Sequence, residues 1–87
     1  MSNARSYKPS VVPVTSTWTE FLPVDAGRGP LILTNTGPVP VLFGLTETTA
    51  ISIPVGMGFS FEDDEVPLNP LSCKVASGTG QLTVWAS

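Results

Sequence analysis

The chain has 87 residues, a formal net charge of −3, no histidine and one cysteine. These counts exclude a histidine base, a histidine metal ligand and an intrachain disulfide. Four Lys and Arg residues in all argue against a nucleic-acid binder held by phosphate neutralisation.

Residues 1–16 read as an extended N-terminal arm. Its first ten residues, MSNARSYKPS, are polar and aperiodic, with no apolar stretch of the kind a secretory signal needs. SVVPVTST adds β-branched residues around Pro13, which fits an edge strand or an arm lying on another surface. Arg5 and Lys8 give residues 1–19 a net charge of +2, and residues 20–87 carry −5. A basic arm on an acidic body can dock on an acidic neighbour.

Residues 17–87 read as one all-β domain. TWTEFLP has strand composition, with Trp18, Glu20 and Leu22 on one side and Thr17, Thr19 and Phe21 on the other. DAGRGP is a turn. LILTNT sends Leu31 and Leu33 one way and Ile32 and Thr34 the other. After Pro38 and Pro40, VLFG alternates Val41 and Phe43; LTETTA is a loop. AISIPV places Ile51, Ile53 and Val55 on one face. Gly56 and Gly58 permit positive φ in the next turn, and GFSFE points Phe59 and Phe61 inward. EDDEVPLNP is a polar loop. LSCKVAS alternates Leu71, Cys73 and Val75 against Ser72 and Lys74. After the GTG turn, QLTVWAS sets Leu82, Val84 and Ala86 against Gln81, Thr83 and Trp85. Seven or eight short strands at this spacing predict a small antiparallel β-sandwich or a jelly-roll-like barrel.

Leu, Ile, Val and Phe make up 25 of the 87 residues, enough for a core. Folding at this size buries about 63% of the open chain's surface, the marginal end of the range. With no disulfide or zinc cluster, support from a partner surface is expected. No run approaches the ~18 apolar residues of a membrane span.

No catalytic constellation emerges. Lys8 and Lys74 are the only amines that could serve a Ser or Thr nucleophile, and neither sits in a nucleophile motif. GMG is not a phosphate loop, because no GK[ST] follows. The run Glu62-Asp63-Asp64-Glu65 reads as a solvated loop; a Ca²⁺ site and a contact for a basic partner are the other readings. Cys73 reads as a small buried hydrophobe. No catalytic residue, metal or cofactor is expected. Trp18 and Trp85 are candidates for an interface, or for stacking on a sugar ring.

Three ordered segments carry a resemblance: GRGPLILTNTGPVPVLFGL from Gly27, IPVGMGFSFE from Ile53 and VASGTGQLTVWAS from Val75. Together they hold 42 of the 87 residues. Their order, an arginine, an apolar strand, an Asn-x-Gly turn, a strand ending in Gly, a turn before an aromatic strand and a final SGTG hairpin, resembles small tailed-bacteriophage virion proteins of the capsid decoration (cement) type. The chain departs from that pattern at VGMG, where a PGE-like turn would stand. The resemblance implies a structural, non-enzymatic protein of the capsid surface, assembled in the host cytoplasm. Its partners would be the major capsid protein and neighbouring copies of itself, as a homo-oligomer and preferentially a trimer. A neck, tail or fibre-base adaptor and a carbohydrate- or receptor-binding module are the alternatives. The residues expected at partner contacts are Arg5, Tyr7, Lys8, Val11, Val12 and Val14 on the arm, together with Trp18, Arg28 and Trp85. Deleting residues 1–10 is expected to weaken capsid binding and leave the domain folded.

Overall fold

The computed structural model describes residues 7–25, 28–62 and 66–86. Eight strands form two four-stranded antiparallel sheets: β1 (Lys8–Val14), β2 (Thr19–Leu22), β3 (Leu31–Asn35), β4 (Val41–Gly44), β5 (Ile51–Ile53), β6 (Gly58–Phe61), β7 (Leu71–Lys74) and β8 (Gly80–Ala86). One sheet runs β1-β8-β3-β6 and the other β2-β7-β4-β5. The fold is an all-β sandwich. No helix among the described residues is long and apolar enough to cross a membrane.

Period-two alternation builds the core. Leu31, Leu33, Leu82 and Val84 of the first sheet pack against Val41, Phe43, Ile53, Leu71 and Cys73 of the second. On one flank, Phe43 of β4 meets Phe59 and Phe61 of β6 edge-on, with ring centroids 5.4 and 6.2 Å away. These aromatic contacts join the two sheets where β5 and β6 form their edges. The opposite flank, between β1 and β2, is lined by Val12, Val14, Phe21 and Cys73 and is left as a groove.

Several local expectations change. Of the two readings of SVVPVTST, the edge strand is the one the fold uses: β1 pairs with β8 from Lys8↔Ala86 to Val14↔Gly80. The prolines are tolerated for a geometric reason. The Gln81 carbonyl accepts from the Thr36 N–H, so Gln81 turns its backbone towards β3 and away from Pro13. By the antiparallel alternation, Pro9, Val11 and Pro13 therefore face the open edge, where a missing N–H costs no ladder bond. A deletion of residues 1–10 would thus remove three paired residues, and the rest of the expected arm, residues 1–6, lies outside the described residues.

β2 carries a register shift between Glu20 and Leu22, so Phe21 and Leu22 are both partly buried against the core instead of opposed. LTETTA contains a single 3-10 turn, Glu47–Thr49. β5 ends at Ile53, and Val55 is exposed in the turn rather than sharing the face of Ile53. Only Gly56 of the GMG pair takes positive φ, 78°, while Gly58 opens β6. The polar loop after β6 has an apolar anchor, Val66, which joins the core.

Among the described residues, one polar side chain is buried with that core. Asn35, 1% exposed, ends β3. Its Nδ2 donates to the carbonyls of Val39 (2.9 Å) and Ile53 (2.8 Å), and its Oδ1 accepts the Gly37 N–H (3.0 Å). The Asn-x-Gly motif is therefore a turn and an inter-sheet tie in one. Glycine is required at its third position by contact: a Cβ on Gly37 would lie 2.4 Å from the Gln81 nitrogen. Asn35→Ala leaves two carbonyls and one N–H without their partner, at roughly 1–3 kcal/mol per unsatisfied buried group. Urea denaturation is expected to show a loss of about 3 kcal/mol for Asn35→Ala, against less than about 0.5 kcal/mol for the exposed Thr48→Ala.

Candidate functional site

The expected contact residues fall into three groups. Val14 is 2% exposed and belongs to the core. Val12 lies on the same inward side and packs against it. These two valines hold β1 to the sandwich, so their apolar surface is already used within the chain. Arg28 is also spent internally. Its Nη1 donates to the carbonyls of Pro67 (2.6 Å) and Asn69 (3.0 Å), and its Nη2 donates to Pro23. The guanidinium thus clamps the connection leading from β2 onto the one leading into β7, beside a backbone bond from the Asp25 N–H to the Leu68 carbonyl. Charge-assisted bonds of this kind are stronger than neutral ones, which gives the arginine preceding the LILTN strand a structural role.

The second group is at the surface but dispersed. Tyr7 is half-buried just before β1, Lys8 is exposed at its start, and Trp18 is half-buried before β2. Arg5 lies outside the described residues, as do Asp63, Asp64 and Glu65 of the acidic run; Glu62 is exposed.

The third group comes together. Val11 and Trp85, 61% and 40% exposed, project from the outward face of the β1-β8-β3-β6 sheet. Register places Trp85 between Pro9 on β1 and Ile32 on β3. The next row runs Val11, Thr83, Thr34, Gly58. Beyond it, Thr36 shares its hydroxyl with Thr83 (3.0 Å) and accepts from Gln81 Nε2 (2.9 Å). Among the described residues, no outward position within the strands of this sheet, from Pro9 across to Ser60, carries a charge; the exposed Glu62 follows β6 in the same outward alternation, at the rim. The outward side of the other sheet differs: Glu20 stands on β2, and Lys74 of β7 pairs with Glu47. Sequence alternation had placed Gln81, Thr83 and Trp85 on one side. What it could not give was the neighbour strands, and hence that Pro9, Val11, Ile32 and Thr34 share that surface.

A second apolar surface lies on the aromatic flank. Leu45 and Ile51 are exposed there beside a 280 Å³ cleft floored by Phe43, Phe61 and Leu71, and Val55 and Met57 are exposed in the turn between β5 and β6 on the same flank. A smaller groove of 210 Å³ opens between β1 and β2 over Cys73. Compared with family models, curated proteins and solved structures, the chain gives no significant match.

Cys73 lines that groove but is only 2% exposed. Burial raises its thiol from 9.0 to about 11, because the charged thiolate is disfavoured in an apolar setting. The unfolded chain then ionises first as pH rises, so this thiol favours the fold fully below pH 9 and progressively less between pH 9 and 11. Stability measured by denaturant titration is expected to fall by on the order of 1 kcal/mol more across that window in the native chain than in Cys73→Ala. At pH 8 the native thiol should react with a disulfide reagent at least ~100-fold more slowly than after unfolding.

Proposed function

We propose that this chain is a non-enzymatic structural protein of a bacteriophage virion, a decoration or cement protein that binds the capsid surface. The observation that carries the reading is the placement of exposed apolar side chains on two separate surfaces, one sheet face and one flank. A lone domain of this size gains nothing from two such patches, whereas a subunit with neighbours on more than one side uses both. The strand order, β1-β8-β3-β6 against β2-β7-β4-β5, corresponds to the pairing of an eight-stranded jelly roll, an architecture used by viral capsid domains and lectins. It supports the jelly-roll reading of the sandwich.

The mechanism needs no chemistry. Each copy covers apolar surface on the shell, and many copies together add interface free energy against internal pressure. Nineteen Ser and Thr residues supply hydrogen bonds at an interface with less desolvation cost than charges. The flank of Leu45, Ile51, Val55 and Met57 is the surface assigned to the major capsid protein, with the basic start of the chain, Arg5 and Lys8, reaching an acidic neighbour.

The reading is tested by adding purified protein to undecorated phage capsids and measuring bound copies. Met57→Asp and Ile51→Asp are expected to reduce occupancy by about tenfold or more, as loss of interface anchors does. Removing residues 1–6, which takes away Arg5 and leaves β1 intact, is expected to reduce occupancy more at low ionic strength than at high, because salt screens the contact that is lost. Hundreds of copies per particle mark a decorator, and about a dozen mark a neck, tail or fibre-base adaptor. Unchanged occupancy in both flank variants would overturn the assignment.

A further inference from the structure

We propose that the uncharged face of the β1-β8-β3-β6 sheet is a self-association surface, on which a second copy of this chain packs face to face about a two-fold axis. The inference stands on charge and geometry alone and does not depend on the virion reading.

The chain has a net charge of −3, so two copies repel unless the surfaces they join are free of carboxylates. The outward positions within the paired strands of this sheet meet that condition, and the exposed carboxylate of Glu62 stands past the end of β6 at the rim. Those of the other sheet do not, with Glu20 on β2 and Glu47 beside β7. A two-fold contact also demands a surface complementary to itself. Hydroxyls meet this demand because each can donate and accept, and Thr34 and Thr83 lie side by side there. The centre is apolar: Trp85 sits between Pro9 and Ile32, with Val11 one row away. An aromatic anchor ringed by small polar groups is the composition expected where binding energy concentrates.

The area is sufficient. β1 and β8 are seven residues long, β3 five and β6 four, so at about 3.4 Å per residue and about 4.8 Å between strands the face spans roughly 380 Å² of plane per copy. The accessible surface of the side chains exceeds that plane, which brings two copies to on the order of 1,000 Å², the lower end of the range for a specific interface. Stacked sheets pack about 10 Å apart, close enough for Trp85 to meet the partner's face. Pairing edge to edge is the weaker route, because Pro9 and Pro13 leave Val11 as the single N–H donor between residues 9 and 13 of the open edge.

Sedimentation equilibrium of the full chain, without capsids, from about 1 to about 100 µM tests the proposal. A species of twice 9.1 kDa is expected. Trp85→Ala is expected to weaken it by about 30-fold, and Thr83→Glu, which opposes two carboxylates near the axis, to leave a monomer throughout. Glu20→Gln, on the other sheet, is expected to leave the dimer unchanged. Val11→Lys places a charge on the same face at an edge position and carries the test if Thr83→Glu does not fold. A native monomer at the highest concentration, a trimer, or a dimer that survives both charge substitutions overturns the proposal. So does a monomer whose face variants lose only capsid or glycan binding, since the face would then belong to another partner.

Discussion

The amide of Asn35 governs how the two sheets meet. It ends a strand of one sheet and donates to a carbonyl at the end of β5 in the other, while its oxygen closes the turn that carries the chain across. A hydrogen bond made at the surface contributes little net free energy, but one left unmade in a core costs the full desolvation of its group. A domain of this size has about 4–13 kcal/mol of stability in total. One misplaced amide is therefore a large fraction of the margin, and the position fixes which turn can follow β3. Gly37 adds a steric condition, because only a residue without Cβ fits against the backbone of β8. Sheet pairing, the crossover and the register of the closing strand all meet at this three-residue motif.

The core was legible because it follows a period of two. Leu31, Leu33, Val41, Phe43, Leu71, Cys73, Val75, Leu82 and Val84 alternate with half-buried or exposed neighbours, and all are buried. The places that escaped the pattern are those where the period breaks or where burial is polar. β2 shifts register, so both Phe21 and Leu22 contact the core. Val66 lies in a run of acids and prolines, with no alternation to mark it. Asn35 looks like an ordinary turn residue in sequence, since the carbonyl of Ile53 that it binds is eighteen residues away. Arg28 reads as a partner contact in sequence, whereas the fold brings the carbonyls of residues 23, 67 and 69 around it. Such roles depend on long-range pairing, which a window of neighbouring residues does not contain.

The candidate surfaces divide along the same line. That Trp85 faces outward follows from the alternation of β8 alone. That it is flanked by Pro9 and Ile32, on a face without a charge, requires the order β1-β8-β3. Among the described residues, Glu20, Glu47 and Lys74 belong to the opposite sheet and its connections, Arg28 holds two loops together at one end, and Lys8 and Glu62 stand only at the ends of β1 and β6. A low charge content thus leaves one broad surface on which bringing another protein close requires little desolvation.

The prolines of β1 have a consequence for the chain at high concentration. A sandwich with eight strands leaves four strand edges, and each is a template on which another chain could add a strand. β1 is the longest of these edges, together with the shorter β2, β5 and β6. By turning Pro9 and Pro13 outward, the molecule removes two of the three amide donors along the middle of that edge. Runaway strand-to-strand polymerisation loses its best starting point, while the carbonyls and side chains of β1 stay available for ordered contacts. Wherever copies are crowded together, growth into fibres is resisted by the same residues that keep β1 a legitimate member of its own sheet.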